Sequence, residues 1–152
     1  MIFYQNYKII YDTITKYPNN VFALKFSSLG LSNSLEQQNK PYILAKTLID
    51  LANKNNSTIM IDAEQNDIQN KINLWTDDLI TQYNKDRPII YKTYQMYRKD
   101  TYDIFCNDLD TFKDYHLGIK LVRGAYYDTD KHSNVLFSNK IDTDNSYNDA
   151  IK

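Results

Sequence analysis

Apolar and polar positions along the chain switch repeatedly between two periods. From Phe3 to Tyr17, residues Tyr7, Ile10, Tyr11 and Ile14 fall on one side of a 3.6-residue repeat, which predicts a helix. Val21-Phe22-Ala23-Leu24-Lys25-Phe26 then alternates with period two and predicts a strand. Pro41 to Asn53 reads as a helix, with Leu44, Leu48 and Leu51 at helical spacing and Pro41 suited to a first turn. Thr58 to Asp62 is short and β-branched, a second strand. Asn66 to Tyr83 carries Ile68, Ile72, Trp75, Leu79 and Tyr83 on one helical face. Arg87 to Thr93 predicts a third strand, with Pro88 at its start, where no ladder bond is lost. A helix through Tyr102, Phe105, Leu109 and Phe112 follows, then a strand at Gly118–Val122 and a helix beginning near Asp142.

Strict strand–helix alternation implies parallel strands joined by crossover helices, an α/β class. The units recur every roughly 30 residues, the spacing of a (β/α)8 barrel, so the chain reads as about four consecutive units of a partial barrel. An open doubly wound sheet fits the same alternation, and periodicity alone does not separate the two. Within the strands, alternation assigns faces. Phe22, Leu24 and Phe26 turn toward helices, which sends Lys25 to the opposite, inner face. Ile59 and Ile61 oppose Met60 and Asp62, and Ile119 and Leu121 oppose Gly118, Lys120 and Val122. On the third strand Ile89, Tyr91, Thr93 and Gln95 share a face, with Gln95 placed past the strand's end. Polar residues therefore mark the carboxyl ends of all four strands: Lys25, Asp62, Gln95 and Lys120. A lysine or aspartate on an inner face costs several kcal/mol unless paired or wet, so the clustering points to a site. Carboxyl ends of parallel strands are where such folds build sites.

Composition removes other classes. The 152 residues suit one ordinary domain; 42% are hydrophobic and 24% charged, a globular balance. Net charge is -1 with acids and bases interleaved, which gives no basic stripe for nucleic acid. No apolar run reaches the ~18 residues of a membrane span. The first twenty residues show neither a signal-peptide core nor an arginine-rich transit pattern. Cys106 is alone, so no internal disulfide forms; beside Phe105 it reads as ordinary helix packing. The 14 tyrosines read as half-buried packing. His116 and His132 stand apart in loop-like contexts and read as exposed. Asp62 and Glu64 lack a neighbouring histidine, so no metal site is expected. GxGxxG, P-loop and GxSxG motifs are missing, which disfavours a Rossmann-type site.

The same strands carry a family likeness. Ala23-Leu24-Lys25-Phe26-Ser27-Ser28-Leu29-Gly30, Met60-Ile61-Asp62-Ala63-Glu64-Gln65, Thr93-Tyr94-Gln95-Met96-Tyr97 and Lys120-Leu121-Val122-Arg123-Gly124-Ala125-Tyr126-Tyr127 follow one another as in the flavin-dependent proline dehydrogenases. Thr143 to Ala150 fits the stretch that follows, so the likeness runs from about Val21 to the C-terminus. The resemblance implies a distorted (β/α)8 barrel that binds FAD and oxidises L-proline to Δ1-pyrroline-5-carboxylate. It implies that Lys25 meets the substrate carboxylate and that Asp62 organises the site from behind. Ala63, Gln95, Lys120, Arg123, Gly124 and Ala125 would line the cofactor, with Lys120 near its reactive nitrogen and Gly124 allowing close backbone approach. Tyr126 and Tyr127 would wall the pocket. Eukaryotic-type relatives would make a mitochondrial location the expectation. The family's remaining barrel units and its substrate-binding arginine pair have no counterpart in these residues. A second chain completing the barrel is therefore an expected partner, and a non-catalytic remnant or one half of a split enzyme is the alternative reading.

Overall fold

The computed structural model describes residues 2–33 and 39–152. In chain order it holds α1 (Ile2–Lys16), β1 (Val21–Leu24), a 3-10 turn (Ser27–Leu29), α2 (Lys40–Lys54), β2 (Thr58–Ile61) and α3 (Asn66–Tyr83). There follow β3 (Ile90–Gln95), α4 (Thr101–Thr111), β4 (Gly118–Val122), α5 (Tyr127–Asp130) and α6 (Lys140–Ile151). The strands form one parallel sheet in the order β1-β2-β3-β4, so consecutive units are neighbours. That is the partial-barrel arrangement expected from the alternation.

Helices cover one face of the sheet. Leu24, Ile59, Ile61 and Ile90 meet Ala45, Leu48, Ile49 and Ala52 of α2 and Ile68, Ile72, Trp75 and Leu79 of α3. The Trp75 ring packs tilted against Phe26 and Tyr42, with ring centres 5.1 and 5.6 Å away. The opposite face is open: Val21 and Ala23 are exposed, and Met60 and Tyr91 only partly covered. β1 and β4 have one strand neighbour each, so both edges of the sheet lack a strand partner among the described residues.

Three expectations need correction. The third strand runs Ile90–Gln95 rather than Arg87–Thr93, because the Asn84 side chain takes its lower end. Asn84 Oδ1 accepts the backbone amides of Ile89 and Ile90 at 3.1 and 2.9 Å, while its Nδ2 donates to the carbonyls of Ile90 and His116 at 2.8 Å each. Gln95 consequently ends β3 instead of lying beyond it. On α4 the inward residues are Thr101, Phe105 and Asp108, whereas Tyr102 and Leu109 are exposed. Asp108 holds the inward place because it pairs with Lys92. Cys106, expected in packing, is exposed on the same helix.

Candidate functional site at the carboxyl ends of the strands

The parallel register sets Leu24 beside Ile61, Ile61 beside Lys92, and Thr93 beside Lys120. One residue further on, Lys25, Asp62, Thr93 and Lys120 form a single row on the inner face, at the carboxyl ends of β1 and β2 and within β3 and β4. Asp62 Oδ1 accepts from Lys120 Nζ at 2.6 Å, with the two side chains 17% and 31% exposed. Thr93 Oγ1 donates to the Ile61 carbonyl at 2.7 Å, tying β3 to β2 at this level. Lys25 is exposed and carries no carboxylate partner within salt-bridge distance among the described residues. Its ammonium lies 5.9 Å from the Tyr126 ring centre. The Tyr126 hydroxyl beside it raises the Lys25 pKa above its ordinary value, Asp62 and Glu64 adding smaller pulls against the opposing effect of burial. Lys25 therefore stays a cation across the physiological range.

These residues line a cleft of about 220 Å³ with Ala63, Gln95, Val122, Arg123, Gly124, Ala125 and Tyr126. Of the expected site residues, only Tyr127 lies outside it. Tyr127 lines an adjoining space of about 380 Å³ with Tyr97, Phe137 and the start of α6. The Arg123 guanidinium pairs with Asp144 at 2.6 Å and stacks 4.3 Å from the Tyr147 ring, so α6 holds it. Gly124 has φ of +139°, and a Cβ there would come within 2.4 Å of the Tyr97 ring. Its missing side chain admits Tyr97.

Glu64 does not join Asp62 as a second site carboxylate. It is buried, and its Oε1 accepts from the Ser27 amide at 3.0 Å, fastening the turn after β1. Its carbonyl accepts from Gln95 Nε2 at 2.9 Å and its amide donates to Gln69 Oε1 at 2.6 Å, so Gln95 is fixed by the loop after β2. Sequence reading missed Thr93 as the β3 member of the row; its place on the inner face was legible, its level was not. His116 and His132 are exposed, and no cluster of metal-ligating residues occurs among the described residues.

A partial barrel of parallel strands with a charged row at their carboxyl ends defines an α/β enzyme scaffold of the barrel type. Residues 4–152 match the proline dehydrogenase family, and the chain belongs to it. It is 41% identical over 75 residues to mitochondrial proline dehydrogenase 1 of Drosophila melanogaster, covering 48% of this chain and 11% of that protein. It is 38% identical over 82 residues to the hydroxyproline dehydrogenase of Xenopus laevis, covering 53% of this chain and 18% of that protein. Proline utilization A from Bdellovibrio bacteriovorus, solved after inactivation by N-propargylglycine, superposes with a TM-score of 0.77 at 13% identity. That superposition covers 97% of this chain and 19% of the other. The chain thus spans a minor part of the length of its relatives.

Proposed function

We propose that this chain supplies four of the barrel units, and the facing site residues, of an FAD-dependent proline dehydrogenase. The observation that carries the reading is the single row Lys25, Asp62, Thr93 and Lys120, with Asp62 and Lys120 joined at 2.6 Å on the open face. In the reaction the ring nitrogen of L-proline loses a proton, the adjacent ring methylene loses a hydride, and a C–N double bond forms to give Δ1-pyrroline-5-carboxylate. FAD, when bound, supplies the acceptor for that hydride.

The residues present suit such a cofactor. Lys120 offers a cation on the cleft wall, Gln95 a side-chain amide held by the Glu64 carbonyl, and Ala63 a small side chain that leaves the wall flat. Arg123, Gly124, Ala125 and Tyr126 close the same side. Lys25 is the cation available to a substrate carboxylate, a charge-assisted contact worth ~1.5–3 kcal/mol. Asp62 holds the Lys120 ammonium, so Lys120 stays oriented without a ligand. The cleft is open, and the two sheet edges call for further strands; we infer that these come from the rest of the barrel, in the same or a second polypeptide.

The test is anaerobic bleaching of flavin absorbance on adding proline, with hydroxyproline as a second substrate in view of the Xenopus relative. The complete barrel is expected to bleach, and the 152-residue chain alone is not. In the complete enzyme, Lys25→Ala is expected to raise KM mainly and Lys120→Ala to slow flavin reduction mainly. A complete barrel that bleaches with neither substrate overturns the assignment.

A further inference from the structure

Two spaces meet where β4 runs into its loop. The cleft of about 220 Å³ that holds Lys25 and the adjoining space of about 380 Å³ share two lining residues, Arg123 and Gly124. Glycine offers a ligand only backbone, so Arg123 is the side chain common to both. It is 48% exposed at its side chain, and an arginine so placed ordinarily samples many rotamers.

α6 removes that freedom from two directions. Asp144 Oδ1 accepts from Arg123 Nε at 2.6 Å. Tyr147 sets its ring centre 4.3 Å from the guanidinium carbon. The two residues are three positions apart, so they share one face of the helix. Tyr147 packs in turn on the cluster of Tyr94, Met96 and Phe105, and Ser146 Oγ lies 3.7 Å from Met96 Sδ, which anchors this face of α6 to β3 and α4. A guanidinium is planar, so one bond at Nε and one covered face fix both its tilt and its rotation. Nη1 and Nη2 make no hydrogen bond among the described residues and form the edge left for a ligand. Lys140, which also pairs with Asp144, lines the larger space beside them.

We propose that Asp144 and Tyr147 are positioning residues for Arg123. They aim its terminal guanidinium nitrogens at oxygen acceptors of a flavin dinucleotide lying across the two spaces. The ligand rests on the flavoprotein reading above; the aim of the guanidinium does not. Charge alone makes the opposite demand, because a carboxylate repels the diphosphate of such a ligand. Removing Asp144 therefore weakens binding if it positions Arg123 and tightens binding if it acts only as a charge.

Two measurements separate the placement from the ligand. In the 152-residue chain, NMR follows exchange of the Arg123 Nε proton with water. Asp144→Ala is expected to speed that exchange about threefold and to leave the β4 backbone amides unchanged. In the complete barrel, quenching of flavin fluorescence gives the Kd for FAD. Asp144→Ala is expected to weaken FAD about fivefold, since a free arginine must then be ordered on binding. Asp144→Asn loses the same charge but keeps an oxygen for Nε, and is expected within about twofold of the parent. Tyr147→Leu keeps an apolar contact with Met96, loses the ring, and is expected to weaken FAD about threefold. In an Arg123→Met background, Asp144→Ala is expected to cause no weakening. FAD bound by Asp144→Ala as tightly as by the parent or more so, equal weakening in the Arg123→Met background, or unaltered Nε exchange overturns the proposal. Should Asp144→Ala misfold, Tyr147→Leu carries the same comparisons. A complete parent that binds FAD but bleaches with neither substrate refutes the proline reading alone, and the affinity series still decides the role of Asp144 and Tyr147.

Discussion

Replacing Lys92 by methionine removes a buried cation at the back of the sheet. Lys92 lies on the helix face of β3, 3% exposed, with its ammonium 2.5 Å from Asp77 and 2.6 Å from Asp108. Asp108 also accepts the Tyr94 hydroxyl at 2.8 Å. Methionine keeps the length of the side chain, so the loss is electrostatic rather than a cavity. It strands Asp108, buried, with Tyr94 as its remaining side-chain partner, and leaves two carboxylates repelling each other. Breaking one partner out of a buried ion pair costs about 3–5 kcal/mol. That moves a urea midpoint down by roughly 1.5–3 M for a domain of this size.

The pH dependence gives the loss a signature. Burial raises the Asp77 pKa above its ordinary value, opposed by Lys92, with the Asp108 charge adding to the rise. A carboxyl whose folded pKa is raised contributes stability that is present below its unfolded pKa and lost as pH rises through the folded value. Deleting Lys92 removes the opposing effect and carries that window upward. The deficit of Lys92→Met is therefore expected to shrink as pH falls from neutral into the range where Asp77 takes up its proton. The quadruple variant Lys92→Met, Asp77→Asn, Asp108→Leu, Tyr94→Phe is expected within about 1 kcal/mol of the parent at pH 7, since both carboxylates that Lys92 paired with are gone. Urea unfolding followed by fluorescence of Trp75, the single tryptophan, reads all three proteins. A loss under about 1 kcal/mol at pH 7, or a loss that does not shrink as pH is lowered across the folded range, refutes the electrostatic account.

Other perturbations test other parts of the fold. Gly124→Ala drives a Cβ to 2.4 Å from the Tyr97 ring at a φ of +139°. It is expected to lower stability by about 2–3 kcal/mol, read from the same urea midpoint. Asn84→Leu leaves the amides of Ile89 and Ile90 without their acceptor and is expected to cost about 2–4 kcal/mol; a variant as stable as the parent contradicts the role of Asn84 at the base of β3. The open sheet face and edges predict that the purified 152-residue chain enhances the fluorescence of a hydrophobic dye in native buffer. The complete barrel is expected not to do so, and equal dye signals from both would count against the open face.

The sequence by itself determined the order of elements and the inner face. Periods of 3.6 and 2 are local properties, so α3 was legible to the residue and β4 at both ends. Alternation around Phe22-Leu24 and Ile59-Ile61 placed Lys25 and Asp62 together on one side, and the register then joined Asp62 to Lys120. On β3 the pattern Ile90-Tyr91-Lys92-Thr93-Tyr94-Gln95 is mixed on both faces, and periodicity offered no level for the row. Which lysine is buried was likewise hidden: Lys92 is tolerable on the helix face only because α3 and α4 bring Asp77 and Asp108 to it. The inward turn of Asp108, the diversion of Glu64 to the Ser27 amide and the capping of α3 by Asp130 have the same origin. Each joins a buried polar group to a partner from another element, and only the packed fold decides which partners come within hydrogen-bonding reach.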